Sequence, residues 1–255
     1  MRFEMKSQQI KLSQSQIEAF YIDCFNESQV KDFITLTNKN QRKNDQVVVD
    51  IGGGVGFFAQ NLNKQTGYKV RVIDSDKISI DSVKNLNNSK IEGIIGDALT
   101  PDIKGDEDIV CFNLILHHLI GATETETRLL QKQALLAWKN SNSTIFVNEY
   151  IYESFVGNLS GRLIYEITSS KVLSAIGRTI GKIIPSMRAN TFGIGVRFRA
   201  HREWLKVFEE CGFQVSSVTF GEIEHTAFPL RLLLIKQVRR DSFLLVKPTQ
   251  QPLLA

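Results

Sequence analysis

The chain has 255 residues, 31 Lys and Arg against 27 Asp and Glu, a formal charge of +4 and 42% apolar residues. These values suit one large globular α/β domain and exclude a disordered, collagen-like or disulfide-stapled chain. The mild basicity comes without any long Lys/Arg run, so nucleic acid is not an expected partner.

Apolar Ile17, Phe20, Tyr21, Val30, Phe33 and Ile34 fall in helix-like groups and predict an N-terminal helical cap over residues 1–45. Residues 1–15 are polar and lack the apolar stretch of a secretory signal, so a cytoplasmic location is expected. Val47-Val48-Val49-Asp50-Ile51 is a short β-branched run that stops at glycines, which predicts a buried strand. Helices over 57–65 and 78–86 then alternate with strands over 69–74 and 92–95, followed by a strand at 109–114, a helix at 125–139 and a strand at 144–150. Such alternation predicts a parallel sheet with helices on both faces.

Residues 153–199 are too many for an ordinary connection and predict a helical insertion, a lid or an interface. Within it Val172, Leu173, Ile176, Ile180, Ile183 and Ile184 recur at helical spacing, with Lys171, Arg178 and Lys182 on another face. Such a row is either core or subunit contact, or it covers an apolar acceptor, and its basic face would add weak attraction to an anionic membrane. A helix at 202–211 ends at Gly212, and strand-like runs at 213–220 and 230–238 follow with no helix between them, which predicts an antiparallel pair. The main domain is thus expected over 46–152 and 200–240, with a tail over 241–255. No run of about 18 apolar residues occurs, so no stable membrane insertion is expected. Cys24, Cys111 and Cys211 stand far apart, outside metal or redox spacing, and are expected to be reduced thiols.

Asp50-Ile51-Gly52-Gly53-Gly54-Val55-Gly56 leaves a strand and opens a helix, where glycines let a ligand approach the backbone. Gly54, Gly56 and Ala59 also satisfy a dinucleotide pattern, so the glycines alone do not choose the ligand. Asp74 ends the second strand, where a carboxylate can accept from two ribose hydroxyls. Asp97, in Gly96-Asp97-Ala98, ends the third, where an acceptor can take an adenine amino proton.

Together these residues resemble class I S-adenosylmethionine-dependent methyltransferases, whose first motif is an acid followed by GxGxG. The resemblance runs from about Val47 to Val238 and includes Leu116-His117-His118-Leu119 and Gly212-Phe213-Gln214-Val215. It implies a Rossmann-like seven-stranded sheet of order 3-2-1-4-5-7-6, antiparallel in its last hairpin, to which the reading of residues 153–199 adds the inserted helical lid or interface. It implies S-adenosylmethionine as cofactor, with Gly52 to Gly54 at the methionine part, Asp74 at the ribose and Asp97 with Ala98 at the adenine. Asp50 would orient the loop and the amino group.

The DVGGG-like form of the loop also resembles the small-molecule O-methyltransferases related to caffeate and hydroxyindole enzymes. In those a histidine after the fourth strand deprotonates a hydroxyl, a role the resemblance gives to His117. Other small-molecule methyltransferases carry a similar step whose histidines only shape the site, and a carboxylate acceptor needs no base. His118, Asn148, Glu149 and Tyr150 are the candidate substrate residues, because ligands enter open α/β sheets at this edge.

The expected function is methyl transfer to a small apolar or aromatic acceptor, most readily at oxygen, with transfer to carbon or nitrogen, or a non-catalytic binding subunit, as alternatives. No metal cluster is expected, and a homodimer is left open.

Overall fold

The computed structural model of the protein describes residues 27–37, 45–184 and 189–248. The expected helical segment before residue 27, Cys24 and residues 249–255 of the expected tail lie outside the described residues. Helix α1 spans Glu27–Thr37. Strands β1 (Val47–Ile51), β2 (Lys69–Asp74), β3 (Ile91–Ile95), β4 (Ile109–Asn113) and β5 (Thr144–Ser154) follow, with helices α2 (Phe57–Thr66), α3 (Lys77–Lys84) and α4 (Glu124–Leu136) between them. Then come α5 (Leu159–Ser169), α6 (Lys171–Ile183), α7 (His201–Glu210), β6 (Gln214–Thr219), the single turn α8 (Phe228–Arg231) and β7 (Ile235–Val246).

The strand order is β3-β2-β1-β4-β5-β7-β6. Strands β1 to β5 pair in parallel, and β7 runs antiparallel to both β5 and β6. The expected order and the antiparallel last hairpin are both present. Strands β1, β2, β4 and the start of β5 are largely apolar runs buried on both faces, so two apolar layers form. Trp138, Trp204, Phe208 and Leu130 fill one layer. In the other, Phe33 of α1 meets Phe58 and Phe146 edge-on with ring centroids 5.9 and 5.3 Å apart, beside Leu62, Ile80 and Val83. Each such buried side chain contributes roughly 1.5–3 kcal/mol.

Three boundaries differ from the sequence reading. Residues 230–234, read as strand, form the end of α8 and the turn after it, and the strand begins at Ile235. β7 continues through Asp241 and Ser242 to Val246, so residues 241–246, read as tail, are sheet. The polar run Arg239-Arg240-Asp241-Ser242 hides the strand, yet each of these residues is held by a partner: Asp241 takes His201 and Arg239, Arg240 donates to the Tyr150 hydroxyl, and Ser242 lies between Asn148 and Asp32. β5 likewise continues past Tyr150 to Ser154. It pairs with β4 only as far as Asn113 against Asn148, so Glu149 to Ser154 overhang that edge, paired with β7 on one side and bridged to Arg199 through Ile151 on the other.

Residues 153–199 contain α5 and α6. α6 buries Ser174 and Gly181, while Val172, Leu173, Ile176, Ile180 and Ile183 are exposed. The apolar row therefore faces solvent and is not core. No helix among the described residues is long and apolar enough to cross a membrane.

Candidate active site

The strand ends β1 to β4 meet around the glycine loop. Gly52, Gly54 and Gly56 have φ of +68°, +54° and +81°, the left-handed region where a side chain is strained. Gly52 N–H donates to the Ile73 carbonyl at 2.7 Å, and Gly54 N–H donates to Asp74 Oδ2 at 2.9 Å. Asp74 Oδ1 accepts from Asp76 N–H at 2.8 Å, so this carboxylate shapes the loop while keeping lone pairs for a ligand. Burial pushes the Asp74 carboxyl up, against these backbone hydrogen bonds, which pull it down. At the end of β3, Asp97 Oδ1 accepts from Leu99 N–H at 2.8 Å. Gly96 N–H donates to the Asp74 carbonyl at 2.9 Å, which ties the β2 and β3 ends together.

Asp50 lies beneath this loop with no solvent exposure. Its Oδ1 accepts from Asn113 Nδ2 at 3.0 Å, and its Oδ2 is buried without a hydrogen-bond partner. A Cβ on Gly53 would run into that carboxylate, so only glycine lets the loop close over it. Burial, with neighbouring Asp74 adding to it, holds the Asp50 carboxyl up at about 7, despite the opposing Asn113 bond. A buried acceptor left unpaired is costly, and one placed under a strained glycine turn is suited to a ligand cation.

Beyond β4 the chain turns at Leu114, a leucine with φ +54°. Such a conformation costs on the order of 1–3 kcal/mol and persists where its surroundings enforce it. Here Leu114 N–H donates to the Asn148 carbonyl at 2.8 Å, and a single 3-10 turn, Leu116–His118, follows. The turn touches the glycine loop, since a Cβ on Gly52 would lie 2.6 Å from the Ile115 side chain.

His117 and Glu149 are both buried, and His117 Nδ1 lies 2.6 Å from Glu149 Oε2. Glu149 Oε1 accepts from Leu116 N–H at 2.7 Å. Both carboxylate oxygens thus serve the turn, and Glu149 holds the histidine. With Nδ1–H donating to Glu149, the other ring nitrogen, Nε2, is the one that can take a proton. His118 packs against His117 with centroids 4.1 Å apart, and burial with that neighbour pushes it well below the ordinary histidine value, so it stays neutral.

The other sequence candidates separate. Asn148 points to the opposite face, where it takes Gln29 Nε2 at 3.3 Å and donates to Ser242 Oγ at 2.8 Å. Tyr150 lies in the overhang, its ring 6.0 Å from that of His117, with Arg240 Nη2 donating to its hydroxyl at 2.7 Å. Ala98 is partly buried on the same core cluster as Ile115. Phe198, passed over in the sequence, stands 4.9 Å from the His117 ring and stacks on Tyr152 at 4.2 Å. Its two neighbours bring it there, Arg197 N–H donating to the His117 carbonyl at 3.0 Å and the Arg199 carbonyl accepting from Tyr152 N–H at 3.1 Å, contacts without a local sequence signal. Among the described residues no group of three or more His, Cys, Asp or Glu could hold a metal ion. A pocket of about 410 Å³ at the opposite sheet edge, lined by Gln46, Glu107, Asp108 and Thr144, has no part in this constellation.

No protein-family model matches the chain, and no curated protein sequence does. Solved structures do. MccD is 12% identical, with 86% of this chain and 95% of that one covered and a TM-score of 0.55. Geranyl diphosphate C-methyltransferase from Streptomyces coelicolor A3(2), solved with Mg2+, geranyl diphosphate and S-adenosyl-L-homocysteine, is 11% identical over 87% of this chain and 80% of its own, at 0.55. LepI, solved with S-adenosylhomocysteine and a substrate analogue, is 14% identical over 92% of this chain, at 0.58, and the chain spans about half its length, 53%. The strand order, the antiparallel hairpin and these likenesses agree: the chain has the Rossmann-like fold of the class I methyltransferases.

Proposed function

We propose that the protein is an S-adenosylmethionine-dependent methyltransferase that methylates a hydroxyl of a small, mainly apolar acceptor. The observation that carries the reading is the His117–Glu149 pair, 2.6 Å apart, on a turn that touches the glycine loop. The residues fit the cofactor on three counts. The unpaired Asp50 Oδ2 suits its ammonium, the glycines at positive φ give close backbone approach, and the Asp74 carboxylate, half-buried and with lone pairs to spare, suits ribose hydroxyls. Asp97 and Ala98 stand at the next strand end for the adenine. Two of the neighbours in fold, LepI and geranyl diphosphate C-methyltransferase, were solved with S-adenosylhomocysteine, which supports the same cofactor here.

When bound, the cofactor supplies a methyl group on a sulfonium, ready for in-line attack. The chain must supply a nucleophile and alignment. A phenol of pKa about 10 is ionised to about one part in a thousand at pH 7, so a base matters. Glu149 fixes the tautomer of His117 and stabilises its imidazolium, and Nε2 takes the hydroxyl proton as the oxygen attacks. Phe198, Tyr150 and Tyr152 supply an aromatic wall for an apolar acceptor. The test is conversion of labelled S-adenosylmethionine over a panel of phenols, carboxylates, amines and activated carbon acids. Transfer to a hydroxyl that fails in His117→Ala supports the reading. Transfer confined to carboxylates or carbon, undiminished in that variant, overturns the base.

A further inference from the structure

α6 is fastened to the protein by its small residues. Ser174 Oγ donates to the carbonyls of Ile167 and Thr168 at 2.8 and 3.0 Å and accepts from Gly193 N–H at 2.8 Å. On the same side Gly177 meets the Phe192 ring, and Gly181 is buried. At 100° per residue Val172, Ile183, Ile176, Ile180 and Leu173 then cover an arc of about 100° pointing outward. Val172 is 70% exposed and Ile183 78%. Phe155, Val156, Leu159 and Leu163, in α5 and the turn before it, are exposed as well.

Of the 19 large apolar residues that stand exposed among the described residues, nine lie between 155 and 183. That concentration exceeds the scatter of single apolar residues on an ordinary surface. The charge beside it has one sign. Lys171, Arg178 and Lys182 are exposed along the flank of the row, and α6 contains no acid. From residue 155 to 184 there are four cations, Arg162 included, and one acid, Glu166.

We propose that this face docks peripherally on an anionic lipid surface, with the apolar row at the headgroup boundary and the lysines and arginine reaching the phosphates. An amphipathic helix with one polar flank of cations has the chemistry of an interfacial helix, and long basic side chains can place their charge at the interface while the stem stays apolar. A second copy of the chain fits less well. A two-fold contact sets the same patch against itself, so the three cations would face their own copies with no acid on the helix to pair them.

The test is flotation of the full-length protein with vesicles of phosphatidylcholine alone and with 30% phosphatidylglycerol. Each cation near the surface contributes about fivefold, so about a hundredfold stronger partitioning onto the anionic vesicles is expected. Raising the salt to 0.5 M should remove most of that preference. Ile176→Glu with Ile180→Glu should abolish flotation while the melting curve stays unchanged, since both side chains are exposed. Changing Lys171, Arg178 and Lys182 to Gln should remove only the anionic preference. Absence of flotation overturns the proposal, as does equal binding to both vesicles. A concentration-dependent dimer that the Ile176 and Ile180 changes dissolve would assign the face to a second copy and overturn it too.

Discussion

A buried carboxyl held at about 7 under the glycine loop makes cofactor binding depend on pH in a calculable way. If the ligand ammonium needs the Asp50 carboxylate, binding must expel the proton that the free protein keeps. Observed affinity for S-adenosylhomocysteine should then fall about tenfold from the plateau at pH 6 and about a hundredfold at pH 5, a window in which the ligand amino group stays charged. Calorimetry at pH 7 in two buffers of different ionisation enthalpy should detect about half a proton released per ligand bound.

The free protein should carry the opposite cost. Its folded form keeps the Asp50 proton to higher pH than the open chain, where the ordinary value is 3.8. Stability therefore falls as pH rises from about 4 to about 7 and stays low above, by up to about 4 kcal/mol. Asp50→Asn removes that charge, so it should melt higher than the parent at pH 8. Its affinity should be independent of pH and lower by about 1.5–3 kcal/mol, the scale of a hydrogen bond to a charged group. Affinity that is flat from pH 5 to 7 with no proton release would refute this account of Asp50.

Asp74→Ala should weaken cofactor binding by roughly 2–3 kcal/mol, measured by titration, since it removes the proposed ribose acceptor and frees Gly54 N–H. His117→Ala should lower kcat by about 10² to 10⁴ with cofactor affinity nearly constant. Glu149→Gln should reduce kcat by a smaller factor than His117→Ala, because Glu149 positions the proposed base without touching the acceptor. Gly53→Ala should abolish binding, because the Cβ meets Asp50. Gly54→Ala, with open space around its Cβ, should cost only the strain of its positive φ, about 1–2 kcal/mol in stability.

The sheet was readable because β1, β2, β4 and the start of β5 are β-branched runs buried on both faces, a pattern that local sequence expresses directly. β7 was cut short because its polar residues satisfy one another across strands, as Asp241 does with His201 and Arg239. The glycine loop and its three acids stand at strand ends in regular order, so their place on one edge followed from the alternation. The histidine's partner was less accessible. Glu149 was in view only as a substrate residue, and its pairing with His117 depends on the β4–β5 register and on the left-handed turn at Leu114. Helical spacing revealed the apolar row of α6 but not its direction, which is set by Ser174, Gly177 and Gly181 packing closely on the other side.

The central claim, that the loop from Asp50 to Gly56 with Asp74 and Asp97 forms an S-adenosylmethionine site, is tested most directly by calorimetric titration of the full-length protein. S-adenosylhomocysteine is the ligand and NAD the control. Saturable one-to-one binding of S-adenosylhomocysteine in the micromolar range, with no heat from NAD, is the predicted result. No binding of S-adenosylhomocysteine at pH 8, where Asp50 is ionised, or tighter binding of NAD, would contradict it.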